Sequence, residues 1–411
     1  MKNFFKEHFI MVGIMVGVIA GGLLGSFAPE TGVAIGFLGQ IFLNALKMIV
    51  LPLIVVSITL SIIRLGDVRS FGSIGVKTLA YYTVTTALAV LTGIVVVLVL
   101  RPGAGVEALG GGMPVTVKGK GAVSIADIAM SFFPSNLVEA AAKFNILPLI
   151  VASVLFGLAF ATLGRENKVI EDLFSATDKA IMKIVGWVLY LAPIGIMAII
   201  AERIGREGGG ATVAGLVMQI GKYFLAVIVG LSIHALISLP IVLYAFSRRN
   251  PVRHFATFGK ALLMAFSTAS SSATLPLTIS CAEENGRLPK KVTRFVLPLG
   301  ATVNMDGTAL YEAVAAIFIA ESYGIHLSME QLIIIFLTAT IAAIGAAGIP
   351  EAGLITMVLV LKAVGLPLEG IGLILTVDWL LDRFRTTVNV WGDSVGAAVV
   401  TRWSGFGGED P

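Results

Sequence analysis

Apolar stretches of membrane-crossing length recur along the whole chain, and past residue 250 they are repeatedly interrupted by Ser, Gly, Pro, Asn and Asp. A run of about 20 apolar residues spans the hydrocarbon core of a bilayer. Charge tightens the constraint. Asp, Glu, Lys and Arg make up 13% of the residues and apolar types 57%, whereas a soluble domain carries about 25% charged residues. This excludes disorder and a water-soluble multidomain enzyme, and it predicts an all-α polytopic membrane protein. The net charge of +4 is too small to signal nucleic-acid binding. One cysteine, Cys281, excludes a disulfide framework and a cysteine metal site. The histidines His8, His234, His254 and His326 are scattered and form no metal-binding pair.

The first span is expected from His8 to Ala28; it is too long for a signal-peptide core and lacks a clean cleavage site. The second runs from about Gly32 to Leu65, with a bend at Pro52, and the third from Ile74 to Leu100. A Gly-rich connector, Pro102–Gly121, follows. The fourth span lies within Ile125–Leu163, broken near Pro134 and Pro148; the fifth covers Lys168–Ile204 and the sixth Ala211–Phe246. With a cytoplasmic N-terminus, the outer loops hold only Arg101, Lys118, Lys120, Arg203, Arg206 and Lys362, and the remaining loop Lys and Arg residues fall inside. By the positive-inside rule both termini are cytoplasmic.

Four polar segments interrupt the C-terminal apolar half. Ser267–Pro276 is embedded between Ala261–Phe266 and Leu275–Ile279, with basic loops on both sides. An apolar-polar-apolar segment with both ends on one side is a re-entrant hairpin rather than a solvated linker, and its tip must be buried in protein or face water. Asn304–Thr308 sits inside the run Phe295–Ile319. An ionised Asp306 there costs at least about 2.5–3.5 kcal/mol, and Gly307 weakens the helix. Unwound carbonyls and a carboxylate suit a hard cation such as Na⁺ better than a mere kink would require. Gly345–Gly353 separates Ile333–Ile344 from Leu354–Leu361, arms of about 12 residues that are short for two full crossings. It reads as a second hairpin, whose free N–H groups can hold a carboxylate. On the last helix, Ile371–Val400, Asp378, Asp382, Arg385, Thr386, Asn389 and Asp393 fall within roughly a 100° arc. Arg383 lies off that stripe. Three acids against one Arg leave excess negative charge, so the stripe is expected to line a ligand-filled interior rather than to brace the bundle. A broken hairpin followed by a helix with polar residues near its middle thus occurs twice, opening from opposite sides, which is the signature of inverted repeats in transporters.

These motifs resemble the glutamate/aspartate transporter family, the dicarboxylate/amino acid:cation symporters. The likeness covers essentially the whole chain, from Lys47–Pro52 through Tyr190–Gly195, and is most specific in the Ser-rich tip, Asn304–Thr308, Gly345–Gly353 and Asp382–Asp393. The resemblance implies eight transmembrane helices plus two re-entrant helical hairpins, assembled as a homotrimer. Residues 1–70 and 122–205 would form a scaffold. Residues 71–101, 210–250 and 251–411 would form a transport domain moving like an elevator. Arg385 would clamp the substrate's side-chain carboxylate in a fork that Lys does not reproduce. Asp382 would hold the α-amino group with help from Thr386, Asn389 and the Ser271–Ser272 tip the α-carboxylate, and Thr308 and Gly353 the side-chain end. Asp393, Asn389, Asn304 and Gly300 resemble one Na⁺ site, and Tyr82, Thr85, Thr86, Asn304 and Asp306 another. A third would use carbonyls near Thr308 and Ala343–Ala346.

Departures from the archaeal pattern bear on coupling. Ala269 stands where archaeal relatives carry Arg before the three serines, and Arg383 appears instead in the last helix, as in the animal carriers. Glu312 also matches those carriers, and a carboxyl buried beside a ligand is placed to exchange a proton during the cycle. The resemblance therefore implies H⁺ co-transport and K⁺ counter-transport, with Glu312 and Arg383 as coupling residues. Glu351 has no counterpart in this reading. The expected location is the cell (inner) membrane, multi-pass. The alternatives are a C4-dicarboxylate carrier, a purely proton-coupled glutamate symporter, a neutral amino-acid exchanger, an anion channel, and an intramembrane hydrolase built on Ser270–Ser272. The one methylene between glutamate and aspartate changes pocket energetics by about 1–3 kcal/mol and is not legible.

Overall fold

The computed structural model describes residues 9–66, 73–103, 133–143, 146–163, 167–206, 211–344 and 352–405. The Gly-rich connector from residue 104 onward, the second hairpin's tip with Glu351, and Gly345 and Ala346 of the third cation set lie outside the described residues. Every regular element among the described residues is helical, as a bilayer demands of segments that must satisfy their own backbone groups.

The N-terminal part holds α1 (Phe9–Phe27), α2 (Pro29–Ala34), α3 (Gly36–Gly66) and α4 (Ser73–Leu100). Pro52 is accommodated inside α3 without ending it. Next come α5 (Leu137–Ala142), α6 (Ile146–Ala161), α7 (Asn167–Leu189) and α8 (Ala192–Arg206). The fourth span is interrupted near Pro148 as expected: α5 ends at Ala142, α6 begins at Ile146, and Pro148 lies in its first turn, where the N–H has no intrahelical partner to lose. One expectation needs correction. The fifth span is two helices bent by 51° at Tyr190–Leu191, because Pro193 has no N–H for the preceding turn and crowds its carbonyls.

The sixth span is α9 (Ala211–Ile233), a π-helical turn at His234–Ser238, and α10 (Leu239–Ser247). The first hairpin is α11 (Pro251–Thr268) and α12 (Ser271–Ser280). Asn250 caps α11, its side chain accepting from the N–H groups of Val252 (2.9 Å) and Arg253 (3.1 Å), with Pro251 in the position that favours proline. Then follow α13 (Lys290–Val303) and α14 (Asp306–Ser322), separated at Asn304–Met305 where unwinding is expected. The second hairpin is α15 (Met329–Ile344) and α16 (Ala352–Ala363), and the chain closes with α17 (Ile371–Trp403).

Three stretches among the described residues are long and apolar enough to cross a membrane: Ser73–Leu100, Val217–Ser247 and Lys290–Ser322. The bent pair in α7–α8 makes a fourth if taken as one span. With 33 residues, α17 is long enough but polar along one side. Large apolar side chains such as Ile19, Val84, Val99, Val217 and Leu225 remain exposed, as lipid-facing positions do.

Packing sorts the helices. In one set α8 packs on α1, α2 and α3, and α3 also on α6 and α7; in the other, α17 packs on α10, α11, α13 and α14, and α14 on α4, α15 and α16. Gly17, Gly21 and Gly25 form a small-residue stripe on α1. A Cβ at these positions would meet the carbonyl oxygens of Pro193, Met197 and Ala201. Such spacing lets two backbones approach closely where lipid offers no hydrophobic drive for association. Gly21→Leu is expected to force α1 off α8 and to lower thermal stability in detergent, by about 1–3 kcal/mol; a melting curve followed by size-exclusion chromatography checks this, with Gly22→Leu, whose Cβ meets nothing within 4 Å, as the control.

Candidate functional site

The site forms where the broken helix α13–α14 meets α17, with α4 on one side and the hairpins on the other. Loss of helix at Asn304 and Met305 exposes backbone groups that side chains of α17 then satisfy. Asn389 Oδ1 accepts the Gly307 N–H at 2.8 Å, and Asn389 Nδ2 donates to Thr308 Oγ1 at 3.3 Å. Gly307 has no room for a Cβ, which would press on the Arg385 backbone. The break and the polar stripe are therefore one construction, each supplying the other's partners.

An oxygen-rich cluster lies beside this contact. Thr86 Oγ1 donates to Asp306 Oδ1 at 2.7 Å, Thr85 Oγ1 to Asn304 Oδ1 at 3.3 Å, and Asn304 Nδ2 to Asp393 Oδ1 at 3.0 Å. Tyr82 Oη donates to Val296 O at 2.6 Å, and a Cβ on Gly300 would touch both Asp393 and the Tyr82 hydroxyl. Tyr82, Thr85, Thr86, Asn304, Asp306, Asn389 and Asp393 are all buried. The structure thus brings the predicted cation ligands together, although Asn389 is engaged by Gly307 and Thr308 rather than by Asp393. No three His, Cys, Asp or Glu side chains converge among the described residues as a transition-metal cage; hydroxyls, carbonyls and carboxylates suit a hard cation.

Arg385 is fully buried. Its Nη2 donates to Asp382 Oδ1 at 2.7 Å, and Nη1 lies 3.0 Å from Asp378 Oδ1. The guanidinium rests 3.9 Å from the Tyr311 ring centroid, a cation–π contact. Among the described residues, Nε and Nη1 nevertheless lack an aligned hydrogen-bond acceptor. Gly353, at the start of α16, stands against the guanidinium: a Cβ there would lie 2.8 Å from Arg385 Nη1 and 3.2 Å from Thr308 Cγ2. Thr386 is buried on the same stripe. Glu312 is buried on α14 and accepts from the Thr356 hydroxyl of α16.

The first hairpin's tip behaves differently. Ala269 ends α11 in a left-handed conformation (φ 49°), and Ser270 caps α12, its Oγ accepting the Ala273 N–H at 3.1 Å. Ser271 is buried and Ser272 exposed. Arg383, off the stripe as expected, donates from Nη1 to Phe266 O (3.0 Å) and Ser267 O (2.6 Å). A cation on the last carbonyls of a helix opposes the negative end of its dipole.

Several participants were not singled out from sequence. Asp378 was visible only as a member of the stripe. His234, whose Nε2 lies 3.2 Å from Asp306 Oδ2, gave no local signal, because its partner is 72 residues away and a π-helical turn sets its direction. Tyr311 and Thr356 were indistinguishable from ordinary helix residues.

A buried guanidinium among carboxylates, an oxygen-rich cluster beside it and apolar helices of membrane length point to a membrane transporter rather than an enzyme. The profile of the Sodium:dicarboxylate symporter family matches residues 9–403. The chain is 38% identical to excitatory amino acid transporter 1 of Ambystoma tigrinum over 98% of its own length and 84% of that protein. It is 38% identical to an excitatory amino acid transporter of Caenorhabditis elegans (98% and 89%), and 37% identical to excitatory amino acid transporter 3 of Homo sapiens (98% and 87%). The protein belongs to the sodium:dicarboxylate symporter family and is a multi-pass membrane transporter.

Arg383→Ala is expected to loosen the end of α11. The loss is about 0.3–1 kcal/mol, read as a few-fold faster amide hydrogen exchange across residues 264–270, with Arg383→Lys intermediate.

Proposed function

We propose that the protein is a secondary active transporter that moves acidic amino acids, glutamate or aspartate, together with Na⁺. The observation that carries this reading is Arg385: a fully buried guanidinium whose Nε and Nη1 have no aligned acceptor among the described residues. Buried donors are rarely left unmade without a reason, and a substrate carboxylate would complete them as a two-pronged pair. The relatives are named as excitatory amino acid transporters, which favours the same substrate class. Asp382 is assigned to the α-amino group with Thr386, Asn389 and Ser271–Ser272 to the α-carboxylate, and Thr308 and Gly353 to the side-chain end.

Charge supplies the reason for coupling. Asp306, Glu312, Asp378, Asp382 and Asp393 are buried, and Arg385 is the one buried Arg or Lys among the described residues. An acidic amino acid adds further negative charge to an interior already in excess. Each uncompensated buried ion costs several kcal/mol, so substrate binding requires cations. Na⁺ would be held by Gly300, Asn304, Asn389 and Asp393 at one site and by Tyr82, Thr85, Thr86, Asn304 and Asp306 at a second. A third would use carbonyls near Thr308 and Ala343–Ala346. Glu312 carries the co-transported proton, and K⁺ returns outward with Arg383 part of the coupling.

The division of packing between the two helix sets supports an elevator. Residues 1–70 and 122–205 form the scaffold of a homotrimer, and residues 71–101, 210–250 and 251–411 carry the substrate across. In this arrangement eight spans and two re-entrant hairpins leave both termini in the cytoplasm of a cell (inner) membrane.

Radiolabelled glutamate and aspartate uptake into proteoliposomes tests this. An inward Na⁺ gradient is expected to drive uptake, internal K⁺ to accelerate it, and succinate to compete poorly because it has no amino group for Asp382. Uptake driven equally by Na⁺ and choline gradients contradicts the reading. Arg385→Lys is expected to reduce uptake about 100-fold, from a loss of about 1.5–3 kcal/mol of charged hydrogen bonding. Asp393→Asn should raise the Na⁺ concentration for half-maximal uptake about tenfold or more while the protein remains folded.

A further inference from the structure

We propose that Trp391 is a positioning residue for the second cation set: its indole N–H holds the π-helical turn at His234–Ser238 against α17, keeps His234 on the Asp306 carboxylate and so sets the affinity for Na⁺. The inference rests on the reading of Tyr82, Thr85, Thr86, Asn304 and Asp306 as a Na⁺ site.

The turn originates in the sequence. The Leu239 N–H reaches back five residues to His234 O. In that pattern the next carbonyl, Ala235 O, would be answered by residue 240, which is a proline with no N–H to give. A carbonyl left without a donor away from water is costly. Trp391 of α17 supplies the donor: Nε1 donates to Ala235 O at 3.0 Å, across 156 residues of chain. Trp391 is 2% exposed. Its ring lies edge-on to Phe255 of α11, with centroids 5.3 Å apart, and 5.6 Å from His254 of the same helix. The indole therefore has a fixed direction.

His234 is the first residue of the turn and is fully buried. Its Nε2 lies 3.2 Å from Asp306 Oδ2. An ionised carboxylate only accepts, so the imidazole presents Nε2–H to it. Nδ1 has no hydrogen-bond partner among the described residues, which leaves the direction of the ring to the backbone that carries it. Oδ1 of the same carboxylate takes the Thr86 hydroxyl at 2.7 Å, so each oxygen is tethered. Gly392, next to Trp391 in the chain, lies against this carboxylate: a Cβ there would stand 3.0 Å from both Asp306 Oδ2 and Asn304 Nδ2. Trp391 and Gly392 thus bear on one group from two directions, the glycine by leaving room for it and the tryptophan through the turn that aims His234. Groups that orient a metal ligand without touching the metal change affinity about 10- to 100-fold when lost, and Trp391 acts one step further out.

The test is the Na⁺ concentration for half-maximal glutamate uptake in proteoliposomes, measured beside the glutamate KM at saturating Na⁺. Trp391→Phe keeps an aromatic ring and loses the N–H; it should raise the Na⁺ constant about three- to tenfold, the size of one net hydrogen bond, and leave the glutamate KM within about twofold. Loss of folded protein would lower the maximal rate and leave both constants in place. Pro240→Ala, which returns a backbone donor to the turn, disturbs His234 from the other end and should raise the same constant. In a His234→Ala background Trp391→Phe should add less than about twofold. For a variant that does not transport, the Na⁺-induced rise in melting temperature in detergent reads the same affinity. Thr86→Ala, within the cation set itself, separates the two readings. A raised Na⁺ constant in Thr86→Ala with an unchanged one in Trp391→Phe overturns the role of Trp391 alone, as does a full Trp391→Phe effect in the His234→Ala background. Unchanged constants in both Thr86→Ala and Trp391→Phe overturn it together with the Na⁺ reading of the set.

Discussion

The structure depends on one electrostatic circumstance: among the described residues, a single buried guanidinium is set among five buried carboxyl groups. Arg385 is held by Asp382 and Asp378 and floored by Tyr311. Asp306 and Asp393 are held apart from it, in a cluster joined by Asn304, Thr86 and His234. An ion pair taken out of water recovers its desolvation cost only with good geometry and further hydrogen bonds. The Asp306–Asp393 cluster has hydroxyl and amide donors but no buried Arg or Lys beside it among the described residues. Arg385 meets that condition only in part, since its Nε and Nη1 find no aligned acceptor among the described residues.

Backbone irregularity positions these groups. The break at Asn304–Met305 turns helix ends toward α17, and the hairpins add two more helix starts, at Ser271 and Ala352. The Gly353 end of α16 reaches the guanidinium, whereas the Ser270–Ser272 tip is built around its own capping hydrogen bonds and Arg383's hold on Phe266 and Ser267. The two hairpins share a pattern in the chain but not a chemistry: one is fastened by a cation at its carbonyl end, the other packs a glycine on the cation that would meet substrate.

Much of this was legible in the sequence, for a physical reason. Asp306, Gly307 and Asn304 inside an apolar run have no comfortable helical solution in a bilayer, so the break announces itself. The α17 stripe does likewise, because acids spaced at helical period on an apolar helix must face inward. Pairings across long separations were not legible. Nothing near His234 points to Asp306, and its orientation depends on a π-helical turn that shifts the register of α9 and α10. Thr356 reads as one more helix residue until Glu312 is found beside it. The bend at Pro193 was missed because the apolar pattern continues through it, and the Gly17–Gly21–Gly25 stripe is informative only once α8 is seen against α1.

The claim that excess buried negative charge makes substrate binding depend on cations is tested most directly by equilibrium binding of radiolabelled glutamate to the purified protein across a range of Na⁺ concentrations at constant ionic strength. The account predicts that the apparent affinity rises steeply with Na⁺, with a log–log slope above one, and that binding is lost when choline replaces Na⁺. Affinity that stays constant as Na⁺ is withdrawn would contradict it.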